Sequence, residues 1–542
     1  MRRAGAVLVA VMLTLSLAGA AAAAHPRLTG RTLVPAAPLA GGSWGMAFDQ
    51  DDNLWVGHIS ARTITKIDPD SGRVLATFGP IDGVEGSDDL TVGPDGAVYY
   101  TAILTGEVGR IAPDGTHSTV VNLGMGVNPI TFTDDGRLFV GKAFIGDGLW
   151  EVPLNGDPVR LVEAASGVNG FDWYDGYLYG PRPGSGDVIK VDVDAGAQWA
   201  PEIVLSGLVW PSAVDIAPDG TMYVSDADGG GIFRFDPVTH TKTLAAATAT
   251  ADNMAIDSRG RVFFSGGNDG AIYRIVGNGR VVVVSAPGLG TNSGLAAGIG
   301  PDGREWVYAA TKFQFWAFDG RTGAERLLTG ALPLPDTAFV DGENLVLSGY
   351  FANMVAVWNP ATGAMLAFYP FFATPLNAIR FDGDLIVAEL VTGPGTARVT
   401  RYDETNAASQ TFSGFMVPTG LAATDDDLYA ADWLAGIVYQ LVRDGQTLDP
   451  IEAVVTGLHG PEGLALTSEG DLLVVETWTQ QLSLVVLGDG PAVVTPLLTG
   501  LDVGQPAPAG FPPIWNFDGV AVGPSGAIYL SAGGILRYEL HD

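Results

Sequence analysis

Residues 212–226 read SAVDIAPDGTMYVSD and have the form of two short β-strands joined by a tight turn. Apolar and polar residues alternate on both sides of the turn, which is the period-two pattern of strands. Between them, Pro218 presets the bend, while Asp219 and Gly220 supply a side-chain turn bond and a positive φ. The stretch therefore predicts an antiparallel β-hairpin.

This pattern recurs along the chain at intervals of roughly 40 to 45 residues, the range of a propeller blade. The copies begin at Gly45, Asp88, Asn128, Asn169, Ser212, Asp252, Ser293, Asp336, Asn377, Thr419, Glu462 and Asp518. Each hairpin is followed by a glycine-rich loop and further strand-like segments, whereas no helical periodicity follows the N-terminal segment. The repeat predicts an all-β protein of four-stranded antiparallel blades.

Twelve blades can form one ring or two, and propellers with four to eight blades are the common forms. We therefore predict two tandem six-bladed β-propellers, at 25–277 and 278–542. Lone strands at Arg31 to Pro38 and Arg280 to Pro287 suggest that each half begins with the outer strand of its own last blade. The last copy, which ends after a third strand, is consistent with this closure. A single twelve-bladed ring closed by Arg31 to Pro38 remains the alternative.

The first 24 residues predict a secretory signal peptide. Arg2 and Arg3 precede an apolar stretch, and small residues end the segment at Ala20 to Ala24. The stretch is too short to span a membrane. We therefore expect a secreted protein, extracellular or periplasmic, without membrane insertion.

The chain has 28 basic and 60 acidic residues, a net charge of −32, and no cysteine. Such a surface repels nucleic acid and favours cations, so no nucleic-acid partner is expected. The absence of cysteine excludes disulfides, thiolate metal sites and cysteine nucleophiles. The expected partner is a small molecule in a propeller funnel, with a protein partner as a further option.

Residues that precede the first strand of each blade converge on the central channel of a propeller. In the second half these include Asn377, Glu462 and Asp518, whose oxygens suit a hard cation such as Ca²⁺. A bound cation lowers the pKa of a water molecule, and a nearby carboxylate then acts as general base. Asp and Asn before a strand are also ordinary turn residues, so a structural role remains the alternative.

Four blade motifs carry a family resemblance: VNGFDW at 168–173, DNMAID at 252–257, GPEGLA at 460–465 and FDGVAV at 517–522. They resemble motifs of the senescence-marker-protein/gluconolactonase (SMP-30/gluconolactonase/LRE-like) family, and the general blade pattern looks like NHL repeats. The resemblance implies six-bladed propellers that bind one divalent cation, usually Ca²⁺ or Zn²⁺, through a Glu, two Asn and an Asp. Many members of that family hydrolyse sugar lactones or related esters.

Carried over to this chain, the resemblance implies a metal site in the second ring, where Glu462, Asn377 and Asp518 match by residue type. Asp518 or Glu476 would then be the base. The first ring offers the weaker candidates Asn128, Asn169 and Asp252, because Trp44-Gly45 stands where the family has its Glu.

Three functions follow as hypotheses. The first is a divalent-metal-dependent hydrolase of lactones or related esters. The second is a non-catalytic NHL-like scaffold that binds a ligand or protein. The third is a lyase, since virginiamycin-B-lyase-like propellers share the blade style; that activity relies on histidines, for which His58 and His459 are the candidates.

Overall fold

The computed structural model describes residues 27–39, 41–162, 165, 167–198, 200–329, 334–391, 396–488 and 490–541. These residues form 48 β-strands in twelve four-stranded antiparallel sheets, together with 3-10 turns at Pro80–Asp82, Pro183–Ser185, Val193–Gln198 and Gly277–Gly279. Across this part of the chain, no helix is long and apolar enough to cross a membrane. The signal peptide at 1–24 lies outside the described residues and stays a prediction.

Strand β1 (Arg27–Pro35) precedes both rings. The sheets of the first ring are β2 (Met46–Phe48), β3 (Leu54–His58), β4 (Thr63–Ile67), β5 (Val74–Phe78); β6 (Asp89–Val92), β7 (Val98–Ala102), β8 (Glu107–Ile111), β9 (His117–Asn122); β10 (Val127–Phe132), β11 (Leu138–Lys142), β12 (Gly148–Glu151), β13 (Val159–Val162); β14 (Asp172–Tyr174), β15 (Tyr177–Arg182), β16 (Asp187–Val191), β17 (Glu202–Ser206); β18 (Ala213–Ile216), β19 (Met222–Asp226), β20 (Gly231–Asp236), β21 (Thr241–Ala247); and β22 (Ala251–Ile256), β23 (Val262–Gly266), β24 (Ile272–Val276), β25 (Arg280–Ser285).

The sheets of the second ring are β26 (Gly294–Ile299), β27 (Glu305–Thr311), β28 (Gln314–Asp319), β29 (Glu325–Thr329); β30 (Thr337–Asp341), β31 (Asn344–Gly349), β32 (Met354–Asn359), β33 (Ala364–Tyr369); β34 (Pro375–Phe381), β35 (Asp384–Glu389), β36 (Arg398–Asp403), β37 (Ala408–Ser413); β38 (Pro418–Ala423), β39 (Leu428–Asp432), β40 (Ile437–Arg443), β41 (Gln446–Thr456); β42 (Pro461–Leu466), β43 (Leu472–Glu476), β44 (Gln481–Val486), β45 (Val493–Thr499); and β46 (Val520–Val522), β47 (Ile528–Ser531), β48 (Gly534–His541), to which β1 adds.

The turn chemistry that indicated the hairpins is present in the structure. Asp219 Oδ1 accepts a hydrogen bond from the backbone N–H of Thr221 at 2.9 Å, and Gly220 has a φ of 82°. The turns at Asp95 and Asp302 repeat the bond to the residue two positions on, each at 3.1 Å. A short acidic side chain and a left-handed glycine therefore close these turns.

The apolar cores show that the blades form two rings. In the described residues, buried apolar clusters lie between each neighbouring pair of blades, six in the first half and six in the second. The innermost strands β2 and β22 pack together, as do β26 and β46. The prediction of two six-bladed propellers is confirmed, and the single twelve-bladed ring is wrong.

The closure of the rings differs from the prediction. Strand β1 pairs with β48, so the start of the chain completes the last blade of the second ring. Strand β25, which was assigned to the second ring, pairs with β24 and completes the first ring's sixth blade. The first ring thus extends to Ser285 rather than 277, and its blades are all continuous in sequence. Only the second ring closes by a shared sheet, which protects its open edges.

Candidate functional site

Both rings have an upper face, defined here as the face with the residues before each first strand and the loops after each second strand. The hub of the second ring, at the centre of that face, contains Lys312. This side chain is only 1% exposed, and its ammonium lies 3.0 Å from Asp336 Oδ1. It also donates to the backbone oxygen of Trp515 and lies 4.4 Å from the centroid of that indole. Burial lowers the pKa of Lys312 and raises that of Asp336.

Glu462 and Asp518 meet at the same hub, as the sequence predicts. Glu462 Oε1 accepts the backbone N–H of Asp518 at 2.7 Å. Asp518 in turn accepts the backbone N–H of Gly504 at 2.7 Å and the Asn292 amide at 2.6 Å. Burial, with repulsion from Asp518, raises the pKa of Glu462, and burial raises that of Asp518 to about 7. The ammonium of Lys312 also acts on Glu462 and favours its ionised form.

Asn377, the third predicted metal ligand, instead lines the central channel of the second ring. This cavity of about 240 Å³ is lined by residues that include Asn377 and Phe517 but neither Glu462 nor Asp518. The Lys312 ammonium, paired with Asp336 and acting on Glu462, already puts a positive charge in this hub and repels a metal cation. The residues of the second hub therefore fit the predicted Ca²⁺ or Zn²⁺ site poorly.

Glu476, the alternative predicted base, anchors a loop of its own blade. Its oxygens accept the His459 backbone N–H at 2.8 Å, the Gln481 amide at 2.8 Å and the Ser483 hydroxyl at 2.6 Å. Burial opposes ionisation, but the hydrogen bonds from Ser483, Gln481 and His459 outweigh it and lower the pKa of Glu476. Asp226, at the end of another second strand, holds Val209 and Trp210 in the same way.

Loops of the first ring cover the second hub. Ser60 O accepts the Trp515 indole N–H at 2.5 Å and the Asn516 amide at 3.2 Å, and Ala61 O accepts the Gln505 amide at 3.1 Å. One apolar cluster continues across this junction; its buried members are Ile59, Ile103 and Leu104 from the first ring and Tyr350, Leu376, Val417, Ile514, Trp515 and Phe517 from the second. The second hub is therefore sealed.

The upper face of the first ring remains open beside this junction. A cavity of about 260 Å³, called the first funnel below, is lined by residues that include Trp44, Phe144, Asn169, Trp210, Ser212 and Asp252. Trp210 is 49% exposed and Phe144 61% exposed, so aromatic faces stand free at its rim. Trp44 connects the funnel to the junction, because its ring lies edge-on to Phe313 of the second ring with centroids 5.1 Å apart.

Asp252 in the lining of the first funnel has two further carboxylates, Asp88 and Asp89, close to it. Burial raises the pKa of Asp252 to about 6, and burial together with the charges of Asp252 and Asp89 raises that of the neighbouring Asp88 well above its ordinary value. Asp89 accepts the backbone N–H groups of Leu90 and Ile130 and the Asn253 amide. Asp88 and Asp252 have no such donors among the described residues.

The two remaining first-ring candidates differ in position. Asn169 lines the first funnel, and its amide donates to Ser212 O at 2.9 Å, which leaves its own side-chain oxygen available. Asn128 is buried and does not line the funnel. Within the described part of the chain, no group of three or more His, Asp or Glu side chains is arranged to hold a metal ion.

Sequence reasoning missed two further carboxylates. Asp172 and Asp215 line the channel below the first hub, a cavity of about 180 Å³. Burial raises the pKa of Asp172 to about 6, and burial together with the charge of Asp172 raises that of Asp215. Both lie on innermost strands, where alternate residues face the channel, so the spacing within NGFDW and SAVDI carried the signal.

The chain is similar in sequence to a curated protein. A virginiamycin B lyase from Nocardia farcinica (strain IFM 10152) is 29% identical over 174 residues, which are 31% of this chain and 57% of that protein. The chain thus spans little more than half the length of this curated relative. No protein-family profile matches the chain.

Three solved structures are similar at low identity. A streptogramin B lyase is 16% identical with a TM-score of 0.38, covering 52% of this chain and 94% of its own. A gluconolactonase from Xanthomonas campestris is 17% identical with a TM-score of 0.36, covering 45% and 91%. The extracellular domain of a one-component system from B. thetaiotaomicron is 10% identical with a TM-score of 0.32, covering 94% and 82%. The likeness concerns the fold and extends no further.

Proposed function

We propose that this protein is a binding protein that holds a small molecule in the first funnel, with the second ring as its closed structural partner. The observation that carries the proposal is the contrast between the two upper faces. The first has an open cavity of about 260 Å³ with aromatic walls. The hub of the second is covered by Ser60, Ala61 and their apolar neighbours.

The composition of the first funnel supports a binding role. Concave sites lined by aromatic side chains with a few polar groups are the usual form of small-molecule sites. Trp44, Phe144 and Trp210 supply apolar area, while Asn169 and Asp252 supply polar atoms that orient a ligand. Exposed aromatic rings at a rim also bury their faces when a ligand enters.

Hydrolysis of lactones, which the sequence resemblance implies, has less support. In the second ring the hub already contains the positive charge of Lys312. In the first ring Trp44 stands at the position of the expected Glu, and Asn128 does not line the funnel. Two of the expected ligands, Asn169 and Asp252, do line it, so a lactone panel with added Ca²⁺ or Zn²⁺ belongs among the tests.

Screening of a small-molecule library by thermal shift and ligand-observed NMR, with two matched tryptophan variants, tests the proposal. Trp210→Ala removes a funnel wall, whereas Trp478→Ala removes a tryptophan of similar exposure (52%) from the upper face of the second ring. We expect ligands whose binding weakens at least about tenfold in Trp210→Ala and is unchanged in Trp478→Ala. Ligands that depend on Trp478 alone, or a library without any Trp210-dependent ligand, would contradict it.

A further inference from the structure

We infer that the ligand of the first funnel is an organic cation, an amine or quaternary ammonium compound with an apolar body. This inference rests on the proposed function, because it assigns a ligand class to the same site. Its first basis is the carboxylate of Asp252 in the funnel lining, with the carboxylate of Asp88 close to it. Asp88 is buried and Asp252 lines the cavity, and neither receives a hydrogen bond from the described residues. Buried carboxylates are normally paired or hydrogen-bonded.

The second basis is that, among the described residues, no lysine or arginine is paired with Asp88. Repulsion from Asp252 and Asp89 acts on Asp88, and none of the described basic side chains opposes it. In the second hub the loop after the first blade's second strand supplies Lys312. The corresponding loop of the first ring contains Arg62, but this guanidinium donates to Glu85 and to the backbone oxygen of Pro506. The negative charge of the first hub is thus left for a ligand to neutralise.

The third basis is the chemistry of the walls. Trp44, Phe144 and Trp210 line the same cavity as Asp252. Aromatic faces attract ammonium groups through the quadrupole of the ring, and cages of such residues recognise quaternary amines. The lining also contains oxygen-bearing side chains such as Asp228, Thr250 and Asn268, so a Ca²⁺ ion, which takes six to eight oxygen ligands, is the competing occupant and is tested separately below. Carboxylates below and aromatic rings above fit a positive nitrogen with hydrocarbon attached.

Isothermal titration of the full chain tests the ligand class directly. The probes are benzylamine and benzyltrimethylammonium, the neutral analogue benzyl alcohol, and CaCl₂ alone. The key variant is Asp252→Asn, with Asp518→Asn as a control that removes a buried carboxylate from the sealed hub. We expect the cations to bind at least about tenfold more tightly than benzyl alcohol, and Asp252→Asn but not Asp518→Asn to abolish that preference.

The outcomes separate the two proposals. Equal binding of the neutral and cationic probes, or no binding of either cation at millimolar concentration, overturns the ligand class and leaves the funnel as a site for other molecules. In another outcome, CaCl₂ alone binds, loses that binding in Asp252→Asn and displaces benzylamine. That result overturns the organic-cation class in favour of a metal ion. Binding of the cations that is unaffected by Trp210→Ala places them outside the funnel and overturns the class as well.

Discussion

The Lys312 ammonium lies 3.0 Å from Asp336 Oδ1 inside the sealed hub of the second ring. A lysine from the chain itself therefore stands where the acidic hub of a propeller would otherwise attract a cation. Among the described residues, no basic side chain pairs with Asp88 or Asp252 of the first ring. The second hub thus contains a cation from the chain itself, whereas the proposed ligand would supply the positive charge of the first.

Lys312→Met is expected to destabilise the second ring by about 3–5 kcal/mol at neutral pH, because removal of one partner leaves buried charge uncompensated. Asp336→Asn in the same chain should recover part of the loss. The loss should shrink in acid, since burial already raises the pKa of Asp336 and its protonation removes the unpaired charge. Urea unfolding monitored by hydrogen exchange measures the free energy of unfolding of each variant. A Lys312→Met variant as stable as the parent at neutral pH would refute the neutralising role of Lys312.

Asp252→Asn is expected to stabilise the protein at neutral pH while it weakens ligand binding. The pKa of Asp252 is raised from 3.8 to about 6, so its ionisation costs folding free energy that appears as the pH rises through this range. A shift of this size corresponds to up to about 3 kcal/mol. The difference in Tm between variant and parent should be near zero at pH 4 and largest above pH 6, by differential scanning calorimetry. A difference independent of pH would show that Asp252 does not ionise at a buried position.

Leu33→Ala tests the unexpected ring closure. Leu33 is buried on β1 and belongs to the cluster that contains Trp316 and Ile535 of the second ring. The free energy of unfolding should fall by about 2–5 kcal/mol, and hydrogen exchange should increase in β46 to β48 but not in β2 to β5. Val283→Ala, at a residue that is 56% exposed on β25, is the control and should have little effect. Increased exchange in the first blade instead would contradict the pairing of β1 with β48.

Trp515→Ala tests the seal over the second hub. Trp515 is fully buried, donates to Ser60 O and lies over the Lys312 ammonium. Its removal should lower the free energy of unfolding by about 3–5 kcal/mol and admit water to the hub. Acetylation with mass spectrometry should then modify Lys312 in the variant only, while the more exposed Lys66 reacts in both proteins. Modification of Lys312 in the parent would show that the hub is open.

The blade architecture was predictable because each blade carries its own local signals. Turns such as Pro218-Asp219-Gly220 and the alternating strands around them depend on neighbouring residues alone. The destination of β1 was not predictable in this way. Strand β25 pairs with the strand directly before it across the turn at Gly277–Gly279, whereas β1 pairs with β48 at the other end of the chain. The local pattern of an outer strand is the same whichever sheet it joins, so it does not indicate so distant a partner.

The candidate site, too, was predictable only where it depends on the repeat and not where it depends on contacts between distant parts of the chain. That Glu462 and Asp518 meet follows from the repeat, and the structure brings them together. Lys312 enters their hub because of a two-residue turn between Thr311 and Gln314. The hub is closed because the two rings pack against each other. The openness of the first ring is likewise a property of the assembly and not of any single motif.

A crystal structure of the protein soaked with benzylamine would show where an organic cation binds. We expect benzylamine in the first funnel, with its nitrogen within hydrogen-bonding distance of the Asp252 carboxylate and its ring against Trp210 or Trp44. We also expect Lys312 to remain paired with Asp336. Benzylamine bound instead in the second hub beside Glu462 and Asp518, with Lys312 displaced, would contradict the proposal.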